Sequence, residues 1–295
     1  MSDQAVLYDV PGPRARRRAL LGTVVAVIGF AFLAFLVARR LADRGQFDGD
    51  LWSPWLDPSS EQFGDVWNLV GKGAAATLVA ATLAILLSLV LGVLLGVSRM
   101  MLGRVGRTPV IGFIELFRGL PVVVTIVFVW RALVELGVDL SGLPGEPALW
   151  YLVIGLALYN SVIIAEILRA GVAALPRGQA EAARAVGLTE GQVMRYVLLP
   201  QAFRIMLPAL ISQLVVILKD TSLAAVIGLG YLELLRRGNQ ISQVLDNPIQ
   251  SLFMVAIMFI TINYALSRLA VTVERRVSSS SGEAGTVEAA AAYGE

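Results

Sequence analysis

The chain has 295 residues, of which 57% are hydrophobic and only 16% charged, with a formal net charge of +2. So low a charged fraction excludes an ordinary water-soluble domain, where about 25% of residues are charged. With no cysteine and no histidine, disulfides, thiolate metal sites, HExxH zinc sites and Ser-His or Cys-His catalysis are all excluded. No metal site is expected.

The expected architecture is all-α and polytopic, with six membrane-spanning helices. Residues 1–18 are polar and end in Arg14, Arg16, Arg17 and Arg18. The apolar run 19–38 has the length of one crossing, since about 20 helical residues span the hydrocarbon core. A stretch over 39–68 rich in Pro, Trp and Asp reads as an exposed outer connection. Further spans are expected at about Leu69–Val97, Val110–Val134, Leu149–Val172, Gln201–Ile227 and Pro248–Val271, with a polar loop from Arg236 to Asn247 before the last. The tail over 274–295 turns to Ser, Gly and Ala and is expected to be disordered. The arginines punctuate apolar runs and form no stripe, which argues for topology and against nucleic acid. They are more frequent on the inner side of this scheme, and all five tryptophans fall at its outer boundary. Both termini are therefore expected in the cytoplasm of a cell-membrane protein.

Gly71-Lys72 is followed by Gly73 and preceded by Val66 where a phosphate-binding loop would begin with glycine. The chain lacks the usual ATP-binding motif. It is expected to bind no cofactor and to do no covalent chemistry.

Three groups of polar residues interrupt the apolar pattern. Between the fourth and fifth spans, residues 175–200 read as a short helix, a glycine turn at Gly187 and a second helix opened by a Thr189/Gln192 capping box. Pro176 suits the first turn of the hairpin, and Pro200 forces a bend or restart. Ala182, Ala183 and Val186 form a small apolar face suited to docking. At the inner ends of the third and fourth spans lie Glu115 and Arg118, and Glu166 and Arg169, each pair three residues apart. Because these spans run in opposite directions, the pairs are placed to cross as Glu115 with Arg169 and Arg118 with Glu166, a lattice near an inner gate. The alternative is that each charge snorkels to water. Asn160 and Ser161 in span four and Lys219-Asp220-Thr221-Ser222 late in span five supply donors and acceptors for a zwitterionic ligand, or else hold the two spans together. Arg131 and Arg236-Arg237 lie at the outer side, where they would favour an acidic ligand or contact a partner. Gly92 and Gly96 form a G-x-x-x-G suited to helix packing.

Four of these stretches resemble a known family. Glu181-Ala182-Ala183, Gly187 and Leu199-Pro200 are similar to the EAA loop of permease subunits of ATP-binding cassette importers, with Val197 where isoleucine is usual. Glu115 to Pro121 resembles the E-x-x-R-G-x-P stretch of the polar amino-acid permeases, Ala165 to Gly171 their A-E-x-x-R-x-G, and Lys219 to Leu223 their K-D-T-S-L. In order, these cover a permease core over 69–273. The whole pattern is similar to actinobacterial glutamate importer permeases. The resemblance implies a five-span type I core with one added N-terminal helix, a departure from members with five spans. It implies alternating access driven by a cytoplasmic ATPase dimer that carries the ATP and Mg and takes the 175–200 loop in a groove. It also implies a second permease chain, identical or homologous, and an extracytoplasmic solute-binding protein. The competing reading is a stand-alone ion-coupled transporter using Asp220, Glu166 or Glu115. An intramembrane enzyme is a third, left with only Ser-Lys or paired-Asp chemistry.

Overall fold

The structure, a computed structural model, describes residues 12–279. Among them every regular element is a helix. Five helical stretches are long and apolar enough to cross a bilayer: α1 (Pro13–Asp43), α3 (Phe63–Met101), α6 (Pro147–Ala173), the run Glu190–Val226 and, in its part Pro248–Thr272, α12 (Pro248–Ser279). α4 (Arg104–Gly119) and α5 (Val122–Glu135) reach that length and apolarity only together, as a bent pair that is either a broken span or a re-entrant loop. The chain is thus a multi-pass membrane protein.

The third expected span, Val110–Val134, is not one straight helix. α4 and α5 meet at 113° because Pro121 has no N–H to continue the ladder and forces Leu120 into an extended conformation, φ −90°, ψ 144°. The fifth span differs in the other direction. It grows out of the hairpin without a gap: α8 (Glu190–Gln192) leads through a π-helical turn, Val193–Leu198, into α9 (Leu199–Asp220). Pro200 cannot donate to the carbonyl one turn back, and the wider turn just before it absorbs that loss. α9 then runs through Pro208 and ends at Asp220, ahead of the single turn α10 (Leu223–Val226).

α6 is the central element. It packs on α3 through the expected glycines: a Cβ at Gly92 would lie 2.7 Å from Ile164 Cβ and 2.9 Å from Ser161 O, and one at Gly96 would lie 3.2 Å from Ala165 O. Absence of a side chain lets the two backbones approach closely. α5 and α9 cover other faces of α6, so Ile126, Leu152, Leu156 and Ile217 are fully buried together. No residue of α1 is buried.

The connection over 39–68 is more ordered than its composition indicates. α2 (Gly49–Leu56) folds back over the first turns of α3 and α12, with Trp55 only 1% exposed. Trp67 Nε1 donates to Trp55 O (3.2 Å), Asn247 Nδ2 to Leu51 O (3.1 Å) and Gln250 Nε2 to Gln46 O (2.7 Å). Likewise the expected polar loop before the last span is a helix, α11 (Leu234–Leu245), seated against α3. Glu233 starts it: its carboxylate accepts from Leu235 N (2.7 Å) and Arg236 N (2.8 Å). Those bonds satisfy otherwise orphan donors of the first turn. Glu233 is wholly buried, and burial pushes its carboxyl up to about 7 against the opposing pull of the two backbone bonds and the Arg236 charge. α12 continues to Ser279, so a tail starting at 274 is corrected by at least six residues; 280–295 lie outside the described residues.

Candidate functional site: a capped hairpin and an ion cluster

The hairpin begins with α7 (Arg177–Ala185), for which Pro176 is the residue just before the first turn. Its end is fixed by local chemistry. Gly187 N donates to Arg184 O (2.9 Å) and Leu188 N to Ala183 O (3.2 Å), a Schellman closure that requires the left-handed φ of +87° at Gly187. Thr189 then caps α8 as expected: Thr189 N donates to Gln192 Oε1 (2.8 Å) and Gln192 N to Thr189 Oγ1 (3.4 Å). A bidentate pair not foreseen from the sequence locks the two arms, Arg184 Nε to Glu190 Oε1 at 2.6 Å and Arg184 Nη2 to Glu190 Oε2 at 3.1 Å.

This geometry revises the docking face. Ala183 is turned inward and buried, whereas Glu181, Ala182 and Val186 are exposed, Val186 to 78%. A helix repeats every 3.6 residues, so Ala183 cannot share a face with its neighbour Ala182. Tyr196, 62% exposed beneath the Arg195 guanidinium, extends the exposed surface onto the second arm. Leu199 is half-buried and Pro200 exposed at the start of α9.

The crossed ion pairs are not formed. Glu115 accepts from Arg118 on its own helix (2.8 Å), and Glu166 from Arg169 on its own (2.9 Å). The contact between helices is made instead by Arg99 of α3, whose Nη1 meets Glu166 Oε1. Glu115 and Arg118 are about half exposed and pair with each other, although α4 packs on α6 through Ile114, Phe117, Val162 and Ala165. The sequence carries a signal for this contact between α3 and α6. Gly92, Gly96 and Arg99 stand at i, i+4 and i+7, one helical face, and the two glycines face Ser161 to Leu168, the stretch that holds Glu166.

The polar residues of the spans separate into two sets. Asn160 and Ser161 are fully buried and satisfied within the protein: Asn160 Nδ2 donates to Leu156 O (2.8 Å) and its Oδ1 accepts from Gln213 Nε2 of α9 (2.6 Å), while Ser161 Oγ donates to Leu158 O (2.8 Å). Asn160 thereby ties α6 to α9, whereas Ser161 bonds within α6. Thr221, also buried, donates to Leu218 O (2.7 Å) at the break after α9. Lys219 is exposed, Asp220 half-buried, and Ser222 donates to Lys219 O (2.7 Å). Lys219 and Ser222 line a groove of about 410 Å³ between α9 and α12 with Phe259 and Asn263, whose Oδ1 is buried without a hydrogen-bond partner. Arg131 is exposed at the end of α5, 4.9 Å from the centre of the Trp130 ring. Among the described residues no group of three or more Asp and Glu is placed to hold a metal ion.

Residues 88–279 match the family described as "Binding-protein-dependent transport system inner membrane component". The glutamate transport system permease protein GluD of Corynebacterium glutamicum is 38% identical over 238 residues, which cover 80% of this chain and 83% of that protein. The glutamine transport system permease protein GlnP of Escherichia coli is 36% identical over 209 residues, covering 71% and 93%. In structure, a chain from the "Crystal structure of an amino acid ABC transporter with histidines" superposes with a TM-score of 0.64 at 30% identity, covering 72% of this chain and 96% of that one.

Proposed function

The chain belongs to the family of binding-protein-dependent transport system inner membrane components, and from that premise we propose that it is the membrane-spanning permease subunit of an ATP-driven amino-acid importer. Relatives named for glutamate, glutamine and arginine transport support an amino-acid cargo, with glutamate the preferred reading. The ion-coupled alternative draws no support from these relatives.

The observation that carries the coupling role is the hairpin. It is closed at both arms by its own hydrogen bonds and by Arg184–Glu190, it offers Glu181, Ala182 and Val186 outward, and it continues without a break into α9. A rigid element joined directly to a span transmits displacement; a flexible loop of the same length would absorb it. In this reading a cytoplasmic ATPase dimer binds ATP and Mg, takes the hairpin in a groove, and its closure moves α9 relative to α6 and α12. Both termini and the hairpin lie on the cytoplasmic side of the cell membrane. A second permease chain completes the pathway, and an extracytoplasmic binding protein delivers the ligand.

Lys219, Ser222 and the free Asn263 Oδ1 are the pathway groups of this chain, since they face a groove while Asn160 and Ser161 are used internally. Asp220 and Thr221 position that corner. Arg99, Glu166 and Arg169 hold the inner ends of α3 and α6 together as the permease switches. Such a device works only if its partners bind the two states unequally.

Co-purification tests the proposal. The detergent-solubilised wild type should carry an ATPase subunit, and Gly187→Asp, which places a side chain at φ +87°, should lose it while the spans stay folded. An ATPase that stays bound to the variant would sink the hairpin's role.

A further inference from the structure

Where the last turns of α6 meet the first turns of α9, beside the hairpin, the two helices leave an open groove of about 260 Å³. Ala170, Gly171 and Ala174 stand on one wall, and Ile205, Met206 and Ala209 on the other. Small side chains let membrane helices approach closely, yet here a gap remains. Behind it the contact is tight: a Cβ at Gly171 would lie 2.5 Å from Met206 Cγ and 2.9 Å from its Sδ. Met206 is unbranched, with three rotatable bonds, and adapts to a neighbour that shifts. The α6 wall is fixed. Just before Gly171, Glu166 joins Arg99 of α3 and Arg169 of its own helix, and Leu168 lies over Gly96. The α9 wall is held differently on the two sides of Pro208. Beyond it, Gln213 is hydrogen-bonded to Asn160 of α6 (2.6 Å). On the hairpin side, Ala202 and Met206 pack with Leu168 and Leu175 by apolar contact, which is non-directional and tolerates sliding. Pro208 itself lies inside α9 and has no N–H for the carbonyl one turn back, so the helix ladder is interrupted between these two halves.

We propose that Pro208 is the hinge of α9, that the hairpin and residues 199–207 swing about it as one lever, and that the groove beside Gly171 is the clearance this lever enters on one stroke and leaves on the other. The inference rests on the importer reading above and assigns to particular residues the displacement that the ATPase imposes on α9. A lever pinned at one end needs a weak point in its ladder and empty space beside its free end. Both are present. The half of α9 beyond Pro208 is pinned to α6 by Asn160, and α6 is pinned to α3 by Arg99. The free half is continuous with the hairpin, whose two arms are locked by Arg184–Glu190. Force on the hairpin therefore reaches Pro208 before it meets a directional contact with α6. Alanine at 170, 174 and 209 keeps the clearance open, since larger side chains on these walls would fill it.

The chain holds no cysteine, so an introduced pair carries its only thiols. Ala170→Cys with Ile205→Cys puts one thiol on each wall, both at exposed positions, and a reducible bis-maleimide joins them. The full chain is assembled in vesicles with its ATPase and binding-protein partners, and uptake of radiolabelled L-glutamate and L-glutamine is followed. Each single-cysteine variant, treated alike, corrects for thiols on the partners. Linking the walls should lower uptake about tenfold or more, because a blocked conformational step limits turnover. Reducing the linker should restore uptake in the same sample, with the ATPase bound throughout. Pro208→Ala is the second variant. It supplies the missing N–H, so melting should hold or rise while the maximum rate of uptake falls and KM stays. Uptake unchanged by the linker, or a pair that no linker joins, overturns the clearance, and an unchanged maximum rate in Pro208→Ala overturns the hinge. Either result leaves amino-acid import standing, provided the wild type transports one of the probes. A wild-type complex that transports neither overturns the importer reading and the lever with it.

Discussion

α1 and α6 are similar in length and both strongly apolar, yet no residue of α1 is buried while Asn160, Ser161, Gly155 and much of the rest of α6 are. Apolarity alone therefore does not distinguish a peripheral helix from the centre of the bundle. In lipid it gives no drive for one helix to leave acyl chains for another. What α6 has is a set of shaped and polar features that only a protein neighbour can use. Gly155 lies against Ile126 Cα (2.8 Å for an added Cβ), Asn160 bonds Gln213, and Glu166 meets Arg99. α1 carries apolar side chains on all faces, with Arg39 and Arg40 near one end and Arg14 to Arg18 at the other. That pattern is satisfied by hydrocarbon with water at each end.

The sharpest way to break this comparison is to place the same side chain at a glycine of each kind. Gly92→Leu has no room, with Ile164 Cβ 2.7 Å from the first added carbon, whereas Gly29 has nothing within 4 Å. Gly92→Leu is expected to cost about 3 kcal/mol or more and to abolish recovery of monodisperse protein. Gly29→Leu is expected to leave melting unchanged. Equal effects at the two positions would show that α1 packs on the bundle after all.

A second contrast concerns charge. The arginines of α1 sit in the open, whereas Glu233 is enclosed where α11 meets α3, with its carboxyl pushed up to about 7 from 4.5. A folded pKa raised above the unfolded one means that the native state binds more protons between these values. Stability therefore falls as pH rises from about 4.5 to 7 and stays low above that. The expected loss across the window is roughly 3 kcal/mol. Glu233→Gln should flatten the thermal stability profile over this range. A profile as steep in Glu233→Gln as in the wild type would assign the dependence elsewhere.

The same contrast explains what could be read from the residues beforehand. The spans were legible because about 20 apolar residues have one cheap place to go, and the hairpin was legible because its caps and its glycine act within a few residues. The capping box and the turn at Gly187 stand where the local pattern puts them. Interhelical partners were not legible. The partner of Glu166 depends on the rotation of α3 about its axis, and that of Asn160 on the register of α9. The break at Leu120-Pro121 is written in the chain, but a mostly apolar stretch of 25 residues over 110–134 also suits one straight crossing. α2 and α11 were missed for a related reason. Both are short, and their burial comes from Trp55 and Leu234 packing with Val66 and Val70 of α3 and Val255 of α12.

The tie between Asn160 and Gln213 tests whether polar contacts fix α6 in place. Asn160→Leu removes an acceptor 2.6 Å from Gln213 Nε2 and keeps the volume. About 1 kcal/mol of destabilisation is expected, since interhelical hydrogen bonds in membranes are modest. Asn160→Leu with Gln213→Leu should cost less than the sum of the single changes, because each alone strands the other's polar group. Strict additivity would mean that the bond contributes nothing to the packing of α6 against α9.

The smallest expected effect is the most informative about α1. If its surroundings are lipid alone, removal of residues 1–43 leaves every buried contact of the bundle in place, including the α2 bonds from Gln46, Leu51 and Trp55. The melting temperature of the truncated chain should then move by less than about 2 °C, the shift produced by under 1 kcal/mol in a protein of this size. Uptake by the assembled complex decides what remains. Unchanged melting with unchanged uptake would make α1 a passive anchor. Unchanged melting with lost uptake would place its apolar surface against another subunit, because a helix that contributes nothing to its own chain's stability can matter to transport only through what it touches outside it.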